Sequence, residues 1–130
     1  MASVVVARAE EIPPGARKIV EIGGRSIGVF NVDGNYYALR NRCPHQGGPI
    51  CSGFQFGALR SQRPGDYEYS DPGGIIRCPW HGWEFDIKTG RSWFDPEHQR
   101  VRAYPASVEE RLERYSARQQ GRYVVVELAP

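Results

Sequence analysis

Two short glycine turns limit what this chain can fold into. Gly23-Gly24 separates RKIVEI (17–22) from RSIGVFNV (25–32), and Asp33-Gly34 separates that run from NYYALR (35–40). Gly-Gly and Asp-Gly between β-branched and aromatic runs suit two-residue hairpin turns, whose central residues need positive φ. Residues 17–40 therefore read as a meander of antiparallel strands. SVVVARA (3–9) and RYVVVEL (122–128) read as two further strands, with IPPGA (12–16) punctuating the first. The 15 glycines and 10 prolines favour short strands and many turns over long helices. With 130 residues, 40% of them apolar, the chain can bury one core and is too short for two ordinary domains.

The middle and the end of the chain are less regular. Residues 51–74 read as a loop, because Arg-Pro-Gly-Asp (63–66) and Asp-Pro-Gly-Gly (71–74) are strong turn formers. IIR (75–77) and WEFDI (83–87) read as short strands, KTG (88–90) as a turn and 100–109 as extended. SVEERLERYSARQQG (107–121) reads two ways. Val108, Leu112 and Tyr115 are spaced as on one helix face, with Gly121 placed to end it. The alternative is a long polar hairpin connection, and the short helix is the reading taken.

The chemistry sits in two motifs, NRCPHQGGPICSG (41–53) and CPWHGWEFDIKTG (78–90). Two of the 3 cysteines and two of the 3 histidines fall there, as Cys43-x-His45 and Cys78-x-x-His81. An odd number of cysteines excludes a full disulfide framework, and clustered Cys and His in a reducing compartment point to metal chemistry. A tetrahedral zinc site accepts two Cys and two His. Structural zinc sites, however, usually pair Cys with Cys and His with His locally, whereas here each motif mixes them. A Rieske-type [2Fe–2S] cluster needs two thiolates on one iron and two imidazoles on the other. Two loops that each supply one Cys and one His meet that demand.

CPHQGGP together with CPWHGW resembles the paired cluster-binding motifs of Rieske [2Fe–2S] proteins. It is most similar to the small soluble ferredoxins of that family and to the ferredoxin-like domains of ring-hydroxylating oxygenases. The resemblance covers most of the chain, from residue 4 to residue 128. It implies an all-β Rieske fold in a single domain, 1–130, whose antiparallel β-sandwich base carries an inserted cluster-binding subdomain at 41–95. It implies one [2Fe–2S] cluster per chain, with Cys43 and Cys78 on one iron and His45 and His81 on the other. The implied function is electron transfer from a reductase to an oxygenase, with no catalytic residue in this chain. Partner proteins would dock over the HQGGP and HGW tips, near His45 and His81. Two alternatives stand beside it: a small Rieske-like subunit of a larger redox enzyme, and a zinc-stabilised interaction module.

High-potential respiratory members of that family carry an extra cysteine in each loop, joined as a disulfide, and Ser and Tyr hydroxyls just after the second motif. Here Trp80 stands between Pro79 and His81, and Trp83 and Phe85 follow Gly82. Fewer donors near the cluster leave the charge of the reduced state less stabilised, so the expectation is a low potential. Imidazole ligation predicts that this potential falls at alkaline pH. Pro44 and Pro79 would stiffen the loops. Gly47, Gly48 and Gly82 would let backbone N–H groups turn toward the cluster sulfurs. Trp80 and Trp83 would cover the cluster or pack the subdomain, or else form an electron-transfer contact surface.

Three features fall outside the ligand set. Cys51 reads as a small buried hydrophobe rather than a fifth ligand or a redox-sensing thiol. Residues 54–74 lengthen the His45–Cys78 separation beyond that of compact family members; they read as an inert excursion rather than a partner-selecting flap. His98 reads as solvated surface. As the one histidine left over, it cannot complete a 2-His-1-carboxylate iron centre within this chain.

The net charge of +2 comes with arginines scattered from Arg8 to Arg122, which argues against a nucleic-acid-binding face. The opening MASVVVARAEEIPPG lacks a signal-peptide core, and no stretch approaches the ~18–20 apolar residues of a membrane span. The expectation is a cytoplasmic protein that engages no membrane.

Overall fold

The computed structural model describes residues 2–44, 47–63, 66–80, 82–113 and 116–128. Among these residues ten strands run in the order β1 (Ala2–Arg8), β2 (Arg17–Ile22), β3 (Arg25–Val32), β4 (Asn35–Arg40), β5 (Phe54–Arg63), β6 (Asp66–Arg77), β7 (Glu84–Asp86), β8 (Ala103–Tyr104), β9 (Ala106–Glu113) and β10 (Ser116–Leu128). Among the described residues the helical elements are two 3-10 turns, Ala9–Glu11 and Ile50–Ser52. No helix is long and apolar enough to cross a membrane among those residues.

The strands form three antiparallel sheets, ordered β1-β10-β9, β2-β3-β4-β8 and β5-β6-β7. The second sheet lies between two cores, and strand parity divides its side chains between them. Ile27, Val29 and Ala38 join Ala7, Val124 and Val126 in the core shared with the first sheet. Phe30, Val32 and Leu39 join Ile76, Phe85 and Ile87 in the core shared with the third. This explains why β3 is buried on both faces over residues 27–32, while β2, at the sheet edge, alternates between exposed and half-buried. Each large side chain so buried contributes roughly 1.5–3 kcal/mol.

The two hairpin turns form where the sequence places them, with Gly23 and Gly24 at φ 57 and 80, and Asp33 and Gly34 at φ 54 and 91. Buried Asn31 ties the second turn to the chain before β2. Its Nδ2 donates to the Ile12 carbonyl and its Oδ1 accepts the Gly34 N–H, both at 2.9 Å. The Tyr36 hydroxyl also donates to the Ile12 carbonyl, at 2.9 Å.

Two expectations are corrected. The helix expected over 107–121 is a pair of strands, β9 and β10, in which Val108 faces Val124 and Glu110 faces Arg122. The β-branched run Val124–Val126 pairs with β1 on one side and β9 on the other, and this pairing overrides the helical spacing. Tyr115, one of the residues of that spacing, lies outside the described residues. The expected loop at 51–74 is largely a long hairpin of β5 and β6. Asp-Pro-Gly-Gly does not end the strand. Phe56 faces Ile75 and Ala58 faces Ser70, so residues 71–74 are accommodated as a bulge. The Arg63–Asp66 pair flanks residues 64 and 65, which lie outside the described residues.

Candidate cluster-binding site

The first loop leaves β4 and the second joins β6 to β7, so each hangs from a sheet that borders the same core. Both loops have one hydrogen-bonding frame. The Cys43 N–H donates to the Gly48 carbonyl (2.8 Å), and the Cys43 carbonyl accepts the Gly47 N–H (2.8 Å). In the second loop the Cys78 N–H donates to the Trp83 carbonyl (2.7 Å), and the Cys78 carbonyl accepts the Gly82 N–H (3.0 Å). Gly47 and Gly82 hold equivalent places in this frame at φ +76 and +74, where a side chain would strain the backbone. Their N–H groups are committed to the cysteine carbonyls. A proline follows each cysteine.

Cys43 and Cys78 are each 2% exposed and belong to the same buried cluster, with Ile50, Ile76 and Phe85. No disulfide joins any of the three cysteines. Gly48 is where the loops meet. A Cβ on it would lie 3.0 Å from both Cys78 Sγ and the Trp80 ring, a tight fit in which those side chains would have to give by a few tenths of an ångström. His45 and His81, the other half of the expected ligand set, lie outside the described residues.

The two tryptophans part company. Trp83 packs on the buried cluster and meets Phe94 edge-on, with ring centroids 4.8 Å apart. Trp80 is 56% exposed. The segment after β7 is shaped by buried Ser92, whose Oγ accepts the N–H groups of Phe94 (3.3 Å) and Asp95 (3.2 Å). His98 lies at the surface, with Nδ1 2.9 Å from Asp95 Oδ1.

Cys51 is fully buried, and burial pushes its thiol up to about 12. Its Sγ lies 3.5 Å from the Leu39 carbonyl. A Cβ on Gly28 would stand 2.5 Å from that sulfur, so a glycine in mid-strand makes the space Cys51 fills. Among the described residues no three Cys, His, Asp or Glu side chains gather as a metal site, and Cys51 therefore does not join Cys43 and Cys78 in one. Sequence reasoning passed over Gly28, whose signal was a lone glycine inside a strand pattern. It also passed over Asn41, a polar residue between a strand and the first cysteine.

Residues 2–105 match the family described as the Rieske [2Fe–2S] domain. The chain is 30% identical over 99 residues to the ferredoxin component of the naphthalene 1,2-dioxygenase system of Pseudomonas aeruginosa, spanning 76% of this chain and 80% of that one. Among solved structures, the Sphingomonas yanoikuyae B1 ferredoxin superposes with a TM-score of 0.65 at 23% identity, covering 98% of this chain and 100% of that one. A chain from the complex of reduced oxygenase and oxidised ferredoxin in carbazole 1,9a-dioxygenase superposes with a TM-score of 0.60 at 21% identity, covering 95% and 91%. The chain belongs to the Rieske [2Fe–2S] domain family.

The family's cofactor is a [2Fe–2S] cluster, and the residues described fit it. Two buried thiols stand on two loops of one design, and the loops approach each other at Gly48, where a Cβ would fit tightly against Cys78 and Trp80. Two thiolates are what one iron of such a cluster takes.

Proposed function

We propose that this chain is a one-electron carrier between a reductase and an oxygenase. The observation that carries the proposal is the matched pair of loops, each burying one cysteine within the same frame of hydrogen bonds. Cys43 and Cys78 hold one iron of a single [2Fe–2S] cluster, and His45 and His81 hold the other. When bound, the cluster supplies one-electron redox chemistry at low potential. The protein's part is to exclude water from the two thiolates, to fix the spacing of the loops through Gly48, and to present the histidine side of the loops to partners. Segment 41–95 acts as the cluster-binding unit, and the working compartment is the cytoplasm.

Two relatives support the choice of partners. One is the ferredoxin component of a dioxygenase system, and one structural neighbour belongs to a complex of oxygenase with ferredoxin. Docking near His45 and His81 is this proposal's own extension.

Metal and acid-labile sulfide analysis of the anaerobically reconstituted protein tests the ligand set, together with Cys43→Ser, Cys78→Ser, His45→Ala and His81→Ala. The expected result is iron and sulfide in equal amounts, with the visible absorption lost or strongly changed in every variant. Zinc in place of iron, or a histidine variant that keeps the wild-type spectrum, would contradict the assignment.

A further inference from the structure

The first loop is tied at its base by a side chain outside the ligand motif. Asn41 follows directly on β4. Its backbone N–H donates to the Ser26 carbonyl (2.8 Å), continuing the β3–β4 pairing by one residue. Its side-chain amide then reaches in two directions. Nδ2 donates to Ser26 Oγ (3.1 Å), and Oδ1 accepts the Cys51 N–H (2.8 Å). Asn41 and Cys51 bracket the Cys43–Gly48 frame, so this amide closes the loop across its neck. The far side of the neck is anchored as well, because Cys51 is fully buried, with its Sγ 3.5 Å from the Leu39 carbonyl.

We infer that Asn41 is a positioning residue for the cluster: its amide fixes the neck of the first loop, and thereby where Cys43 stands relative to Cys78. The inference rests on the ligand assignment proposed above. An amide suits the task because it donates and accepts at once. A carboxylate keeps the acceptor for the Cys51 N–H, and the Ser26 hydroxyl can turn to donate to it. Leucine has similar bulk and does neither. With leucine the buried Cys51 N–H loses its partner, the neck loosens and water reaches the Cys43 side of the site.

The test compares iron-loaded wild type, Asn41→Leu and Asn41→Asp. The readouts are the rate of absorbance loss under a chelator, the visible circular dichroism and the paramagnetic resonance spectrum of the reduced protein. Asn41→Leu is expected to lose iron about ten-fold faster, the rate equivalent of one hydrogen bond, with altered spectra. Asn41→Asp is expected to stay within about two-fold of wild type, with wild-type spectra, since the acceptor is retained. An Asn41→Leu protein with wild-type spectra and release rate, even one that melts lower, would overturn the inference, as would an Asn41→Asp protein that behaves like it. If Asn41→Leu does not fold, Ser26→Ala removes only the outer half of the tie. A smaller change of the same sign supports the inference, and an unchanged spectrum and release rate overturns it. A wild-type chain that takes up no iron would instead sink the ligand assignment, and this inference with it.

Discussion

Replacing Gly53 by alanine should disturb stability and cluster binding together. Gly53 ends the 3-10 turn that closes the first motif, at φ -77 and ψ -179, a conformation alanine adopts without strain. The cost is therefore steric. A Cβ at this position would overlap the Arg77 carbonyl oxygen, and would lie 2.9 Å from its carbon and 3.0 Å from the Ile50 carbonyl oxygen. All three atoms are backbone, so no side chain can rotate away. Relief requires β6 to shift by on the order of 1 Å, at a cost of about 2–3 kcal/mol, the upper part of the range for overpacking. For a chain of this size that lowers Tm by roughly 10 °C. Arg77 immediately precedes Cys78, so the shift moves the second loop relative to the first. Calorimetry of the iron-free protein and iron content of the loaded protein give the two readouts, and both should fall. An unchanged Tm would refute the close approach of Gly53 to β6. A lowered Tm with full iron content and wild-type spectra would refute the coupling between that contact and the site.

Two more changes probe the packing around the site. The folded state raises the pKa of Cys51 to about 12, above the ~8.5 of an unfolded cysteine, so its stabilising contribution is complete below about pH 8.5 and is lost as pH rises toward 12. In that window the wild type should lose up to ~1.4 kcal/mol more per pH unit than Cys51→Ala, measured by urea unfolding; equal slopes would contradict this. Asn31→Ala leaves the Gly34 N–H without its acceptor while the Ile12 carbonyl keeps the Tyr36 hydroxyl, so the expected loss is about 1–2 kcal/mol, and an unchanged melting curve would count against it.

How much of this was legible in the sequence depends on whether the signal was local. The hairpins at Gly23-Gly24 and Asp33-Gly34 were legible because positive φ is a demand made by the turn itself. The two cysteines were legible as motif members, and the structure buries both in one core. Residues 107–113 were misread because Val108 and Leu112 satisfy a helical spacing on their own, and only the β10 partner selects the strand. Residues 71–74 were misread because four turn formers in a row do not reveal that a neighbouring strand will hold them as a bulge. Gly28, Asn41 and Gly53 matter through Cys51, Ser26 and Arg77, neighbours that only the fold brings to them.

The most direct test of the central claim is a redox titration of the iron-loaded protein, followed by the paramagnetic resonance signal of the reduced state. A carrier of electrons to an oxygenase, with Trp80, Trp83 and Phe85 where high-potential relatives place cysteine and hydroxyl groups, should show a one-electron midpoint near the low end of the Rieske span, at ~-150 mV. A midpoint toward ~+300 mV, or no Rieske-type signal from protein that has taken up iron and sulfide, would contradict it.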